Sequence, residues 1–299
     1  MMKLLVIFIF TFFYSFSQES KNQKENNYYL GSYQVKSPHI PEELFFCNEK
    51  VPIKNQDILE RFDREIIVNT YFHSKAILIL KTSNKYFPII EKYLKEYQIP
   101  EDFKYLAIAE SALENAISPA GAKGFWQFMS KTGKAYGLEI NDLIDERYNL
   151  EKSTEAACKY LKKLYKQFGS WTLAAAAYNM GPHALSKQIK KQQVNNYYNL
   201  KLNNETSRYV FRIIAYKLID KNPKLYGFNL KQEDLYPPLK TYNIEINKEI
   251  SDLAKYAINI EQNYKIIKYL NPWILKNSID ATEKPYIIKL PLEKSLEIK

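Results

Sequence analysis

Glycine is scarce in this chain, with 8 among 299 residues. None of them builds a Gly-rich strand-to-helix turn, so a βαβ nucleotide-binding fold is excluded. Cysteine is scarcer still. Cys47 and Cys158 lie far apart and form no metal-ligand spacing. Cys158 falls on an apolar helix face and reads as a buried thiol, while a disulfide to Cys47 stays open if the chain is exported. The longest apolar run, Leu4 to about Tyr14, is short for a membrane span, which needs about 20 residues. No cysteine follows that run, so lipid attachment at a mature N-terminus has no support. The net charge is +10, yet no zinc-finger spacing or other nucleic-acid motif accompanies it, and nucleic acid is a poor partner. Low aromatic content, a mark of disorder, is absent too: there are 25 Tyr and 16 Phe.

What is present begins with a leader. "MMKLLVIFIFTFFYSFSQES" places one lysine before the apolar run and small residues after it. That layout predicts a signal peptide over 1–17, with a retained short anchor as the alternative. The expected location is the periplasm or outer envelope of a Gram-negative-type bacterium. In an exported protein the basic balance favours an anionic polymer or surface, with plain solubility as the bland account. Residues 18–55 read as an irregular lead-in, 56–99 as a helical extension and 100–222 as an all-helical domain. Residues 223–240, with Pro237 and Pro238, read as a linker. Residues 241–299 read as a small βααβ unit, with "TYNIEIN" and "PYIIKLP" as its strands.

Within the helical part, one helix is expected over roughly 56–80 and another over 84–98 despite Pro88. Ile99 and Pro100 then interrupt the pattern, and a helix should begin near Glu101. Phe125 to Tyr136 reads as one or two short helices. Ser153 can cap a helix whose apolar positions, Ala156, Ala157, Tyr160, Leu161, Leu164 and Phe168, follow the 3.6-residue period to Gly169. Ser170 can cap "WTLAAAAYNM", closed by Gly181 and Pro182, and "ETSRYVFRIIAYKLI" is a further helix.

The stretch "LAIAESALENAISPAGAKGFWQFM" puts one acid, Glu110, into an apolar run. On a helix Glu110 shares a face with Phe103, Leu106, Ala107 and Leu113. Burial there would raise its pKa and suit it to general-acid work. A satisfied structural glutamate is the alternative reading. Gly121 and Gly124 would let backbone approach a groove, and "FWQFM" would give that groove an aromatic wall with Gln127 as its polar member. "AYNMG" puts Tyr178 and Asn179 at a helix end.

In order, Glu110-Ser111, "SPAGAKG", "FWQFM", "AAYNMG" and "NNETSRYV" resemble the lytic murein transglycosylases with a lysozyme-like (SLT) domain. The nearest likeness is to the membrane-bound lytic murein transglycosylase D type. The resemblance covers about Pro100 to Leu218. It implies a mainly α fold: a lysozyme-like helical domain with an N-terminal helical extension. It implies an enzyme acting on peptidoglycan glycan strands without cofactor or metal, in association with the envelope. Glu110 would be the single acid/base that cleaves the MurNAc–GlcNAc β-1,4 bond and leaves 1,6-anhydromuramyl ends. Ser111, Gln127, Met129, Tyr178 and Asn179 would line the substrate site, and Tyr209 would bond the catalytic carboxyl. Glu205 would be structural.

The tail resembles a degenerate LysM module. Leu270-Asn271 fits that pattern, but Asn247-Lys248 replaces the usual Gly-Asp, which leaves sugar binding open. Two other functions stay in view. A goose-type-lysozyme-like hydrolase would need a second carboxylate, such as Asp142, Asp145 or Glu146. A non-catalytic wall-binding protein would keep the fold alone.

Overall fold

The computed structural model describes residues 35–280 and 285–292. The expected leader lies outside them. Every element belongs to the unit Pro38–Lys299.

Helix α1 (Gln56–Tyr71) is capped by Asn55, whose side chain accepts from Asp57 N at 3.0 Å, and it buries Ile58, Phe62 and Ile66. The chain breaks at Phe72 (φ −82°, ψ 62°), and α2 (His73–Glu96) starts at once and runs on through Pro88. This corrects the expected division into 56–80 and 84–98. Neither Gly nor Pro marks the real break. Pro88 forfeits one backbone bond, and the buried Phe87, Ile90 and Leu94 keep the helix in place around it.

A 3-10 turn, Glu101–Phe103, leads into α3 (Lys104–Ser111). Then come α4 (Ser130–Ala135), α5 (Leu150–Phe168), α6 (Trp171–Met180), α7 (Pro182–Gln192) and α8 (Thr206–Lys221). Helix α5 starts earlier than expected. Asn149, not Ser153, caps it, accepting from Lys152 N at 3.1 Å, and Ser153 is buried in the first turn. Gly169 ends it in the left-handed conformation, and Ser170 caps α6 as the sequence suggests. Ala174 to Ala177 of α6 are fully buried, which lets α5, α7 and α8 close around it. Helix α8 also packs along α1 and α3, so the C-terminal helix of the body reaches the segment that carries Glu110.

The lead-in is less irregular than its composition suggests. Leu44–Phe46 (β1) and Glu49–Val51 (β2) form an antiparallel hairpin. Cys47 and Asn48 make its turn at φ 50° and 65°. The usual Asn-Gly signal of such a turn is missing, which hid it. The hairpin is seated by Phe46, fully buried and edge-on to Phe103 at 5.4 Å. Cys47 and Cys158 are both buried free thiols.

The tail has the expected βααβ order. Strand β3 (Thr241–Ile246) pairs antiparallel with β4 (Tyr286–Pro291), and α9 (Leu253–Asn259) and α10 (Tyr264–Leu270) lie between them in sequence. Asn271 is fully buried. Its amide donates to Ile267 O and Lys289 O and accepts from Lys289 N, which fastens β4 to the end of α10. The tail docks on the segment before α5. Asp145 N donates to Trp273 O (2.9 Å) and Leu275 N to Leu143 O (2.8 Å), and Ile144 is buried in the tail's core.

Candidate active site

Glu110 is next to last in α3, a helix of eight residues whose Tyr105, Leu106, Ala107 and Ile108 are buried. The helix stops one residue later because Ala112 and Leu113 turn left-handed (φ 55° and 62°). Leu113 therefore does not share the helix face of Glu110, as a longer helix would have required. Gln127 also has a positive φ, of 47°. Such conformations cost about 1–3 kcal/mol each in non-glycine residues and gather at functional sites.

Glu110 is half-buried. Its Oε1 accepts a hydrogen bond from Tyr209 Oη, delivered by α8. Burial lifts its carboxyl to about 7. The Tyr209 bond pulls the other way, the Glu205 charge adds to the rise, and Arg212 opposes it. Tyr209 and Tyr178 titrate well above the usual phenol range through burial and then the Glu110 charge, so both are neutral hydroxyls at neutral pH.

The other expected residues are tied around Glu110 in different ways. Ser111 is buried and its hydroxyl donates to Phe125 O at 2.9 Å, joining α3 to the loop before α4. Gln127 spends its amide hydrogens on Ala116 O (3.0 Å) and Gly124 O (2.8 Å), leaving Oε1 as an acceptor. Tyr178 Oη donates to Trp126 O at 2.7 Å. Asn179 accepts from Thr206 Oγ1 (2.7 Å) and donates to Glu205 Oε1 (3.3 Å), tying the end of α6 to the start of α8. Met129 is exposed just before α4. The expected aromatic wall is corrected: Phe125, Trp126 and Phe128 are core residues, and Trp126 Nε1 donates to Thr154.

Two residues that sequence reading missed as a pair hold this loop. Arg147 makes a bidentate contact with Asp145 (2.8 and 2.7 Å) and donates to Gly121 O and Phe128 O. Burial pushes the Asp145 carboxyl up, but Arg147 and then Lys123 outweigh it and hold it below the usual range. A Cβ on Gly124 would meet Arg147 O at 1.9 Å, so the close approach Gly124 permits is to this backbone and not to a groove. Glu146 is buried as well, accepting from Glu139 N and Lys152. Asp145 and Glu146 are thus committed to structure, and Asp142 is exposed.

Glu110 opens on a groove of about 420 Å³. Residues 109–112, Glu114 and Ala116 form one wall, and Phe72, Ser74, Lys75, Leu78, Ile79 and Thr82 form the other. This second wall comes from the start of α2 and carried no signal in the sequence, because nothing there announced the break at Phe72.

Against this geometry, residues 87–201 match the family described as Transglycosylase SLT domain. Residues 242–294 match the soluble lytic transglycosylase C-terminal LysM-like domain. A protein of Escherichia coli strain K12 named membrane-bound lytic murein transglycosylase D is 29% identical over 242 residues, covering 79% of this chain and 52% of that protein. Its namesake in a second Escherichia coli strain, O6:H1, matches equally. The chain therefore spans about half the length of the curated relatives it matches. Among solved structures, the 70 kDa soluble lytic transglycosylase of Escherichia coli aligns at a TM-score of 0.39 and 22% identity, covering 51% of this chain and 27% of that one. The SLT match includes Glu110, Ser111, Gln127, Met129, Tyr178 and Asn179. Tyr209 and the α2 wall lie beyond its ends.

Proposed function

We propose that this chain is a peptidoglycan lytic transglycosylase of the envelope, with Glu110 as its one acid/base. The observation that carries the reading is the Glu110 carboxyl: raised to about 7, held on one oxygen by Tyr209 and open to a groove. With Oε1 engaged by Tyr209, Oε2 is left to bear the transferable proton. That proton passes to the oxygen joining MurNAc C1 to GlcNAc, and the C1–O bond breaks. The substrate's acetamido oxygen supports the charge that develops at C1. Glu110, now a carboxylate, takes the proton of the muramyl C6 hydroxyl, and O6 closes on C1 to give the 1,6-anhydro end. Atoms balance without water. Tyr209 orients the carboxyl in both steps, and Tyr178 and Asn179 shape the end of α6 beside it.

The names of the Escherichia coli relatives and the two domain matches support murein as the substrate and the envelope as the location. Among the described residues no helix is long and apolar enough to cross a membrane. The structural duties of Asp145 and Glu146 weigh against the hydrolase reading.

The test is mass analysis of the products released from purified peptidoglycan. Anhydro ends, lighter by one water than reducing ends, support the proposal. Reducing ends would make the chain a hydrolase, and no release would make it a binder. Glu110→Gln should cut release by at least about 10⁴-fold, the top of the usual acid–base range, because one group serves both proton steps.

A further inference from the structure

The wall opposite Glu110 lies outside the matched SLT segment, which begins at residue 87. It presents exposed apolar side chains, Phe72 at 57% and Leu78 at 50%, on a groove. Exposed large apolar groups gathered on a concavity mark a binding surface. The groove also carries charge of both signs: Lys75 on the α2 wall and Glu114 on the facing one. Neither forms an ion pair with another described residue. Glycan rings offer hydroxyls and acetamides but no such charges. The charged groups of peptidoglycan, carboxylates and amines, lie on the stem peptides, and these hang from the muramyl residue at which Glu110 would act.

We propose that this groove holds the stem peptide of the muramyl residue being cleaved. Lys75 takes a peptide carboxylate, Glu114 faces a peptide amine, and Phe72 and Leu78 cover the apolar parts of the peptide between them. The proposal rests on the lytic transglycosylase reading and extends it from glycan to peptide. The break between α1 and α2 gains a purpose by it, because it places Phe72 on the groove and puts Lys75 in the first turn of α2.

The experiment compares release from intact peptidoglycan with release from glycan strands stripped of peptides by an amidase, as a ratio of kcat/KM values. Exposed ion pairs are weak, so Lys75→Met should lower this intact-to-stripped ratio about threefold to fivefold, through KM. Lys75→Glu, which places like charge against the peptide carboxylate, should lower it about tenfold. Lys187→Met, on α7, should leave the ratio as it is. An unchanged ratio in both Lys75 variants, or an equal fall on both substrates, would overturn the proposal. A chain inactive on both substrates would instead sink the underlying enzymatic reading. In that case titration with a soluble disaccharide-tetrapeptide decides the groove: binding weakened by Lys75→Glu upholds it, and binding that is absent or indifferent to Lys75 ends it.

Discussion

Tyr209 donates its hydroxyl to Glu110 across 99 residues of sequence, from α8 to the end of α3. The bond fixes which way the carboxyl points, and it also stabilises the charged form. Removing it with Tyr209→Phe should therefore do two things. The rate should fall about 10- to 100-fold through lost aim, and the alkaline limb of the pH–rate profile should move to higher pH. A structural tyrosine would lower the rate without moving that limb. A pH series of turnover on purified peptidoglycan reads both.

Glu110 should also leave a mark on stability. Its carboxyl is raised from an ordinary 4.5 to about 7. Between these values the folded chain binds more protons than the unfolded one, so stability falls as pH rises through that window. The loss is complete above about pH 7 and amounts to at most about 3 kcal/mol, less because the residue is only half-buried. Glu110→Gln carries no such penalty. Relative to the natural protein, its Tm should rise more at pH 8 than at pH 5. Equal Tm differences at the two pH values would mean that the carboxyl is not desolvated in the folded state.

How much of this could be read beforehand varied with the kind of signal. Helices α5, α6 and α8 were legible because periodicity, Ser170, Gly169 and Gly181 all agreed. So was the βααβ tail, through alternation and prolines. The Phe72 break, the Cys47-Asn48 turn and helix α7 were not, since each lacks its usual residue or hides behind Pro182. At the site, the place of Glu110 and its Tyr209 partner followed from ordered motifs. Trp126 did not reveal itself as core, because a tryptophan serves a core or a wall equally well. The α2 wall and the Arg147–Asp145 pair are products of tertiary approach, and local sequence carries little trace of either.

Arg147 offers a test of the loop that carries Gln127. Its guanidinium satisfies buried Asp145 and holds the carbonyls of Gly121 and Phe128. Arg147→Met keeps much of the volume and removes all of these bonds. Asp145 is then left buried with Lys123 at 3.4 Å as its remaining cation. Breaking one side of a buried pair costs about 3–5 kcal/mol. Denaturant unfolding should show a loss of that order, and amide exchange should quicken between Ile117 and Phe128. A loss below about 1 kcal/mol would mean the pair contributes little to holding the loop.

Glu49 gives the hairpin a task that its composition did not suggest. Its carboxylate accepts from Ser170 Oγ (2.9 Å) and Thr172 N (3.0 Å), and from Trp171 N, at the N-terminus of α6. An anion there satisfies end N–H groups and complements the helix dipole. The last turn of α6 carries Tyr178, which feels the Glu110 charge, and Asn179, so the hairpin and the candidate active site sit at opposite ends of one helix. Glu49→Ala should cost about 1–2 kcal/mol, as caps do. Glu49→Gln, which keeps an acceptor oxygen but no charge, should cost less than half of that. Thermal unfolding of the two variants separates the cap from simple packing of the hairpin: equal losses in both would assign the effect to charge alone, and no loss in either would show that Ser170 caps α6 unaided.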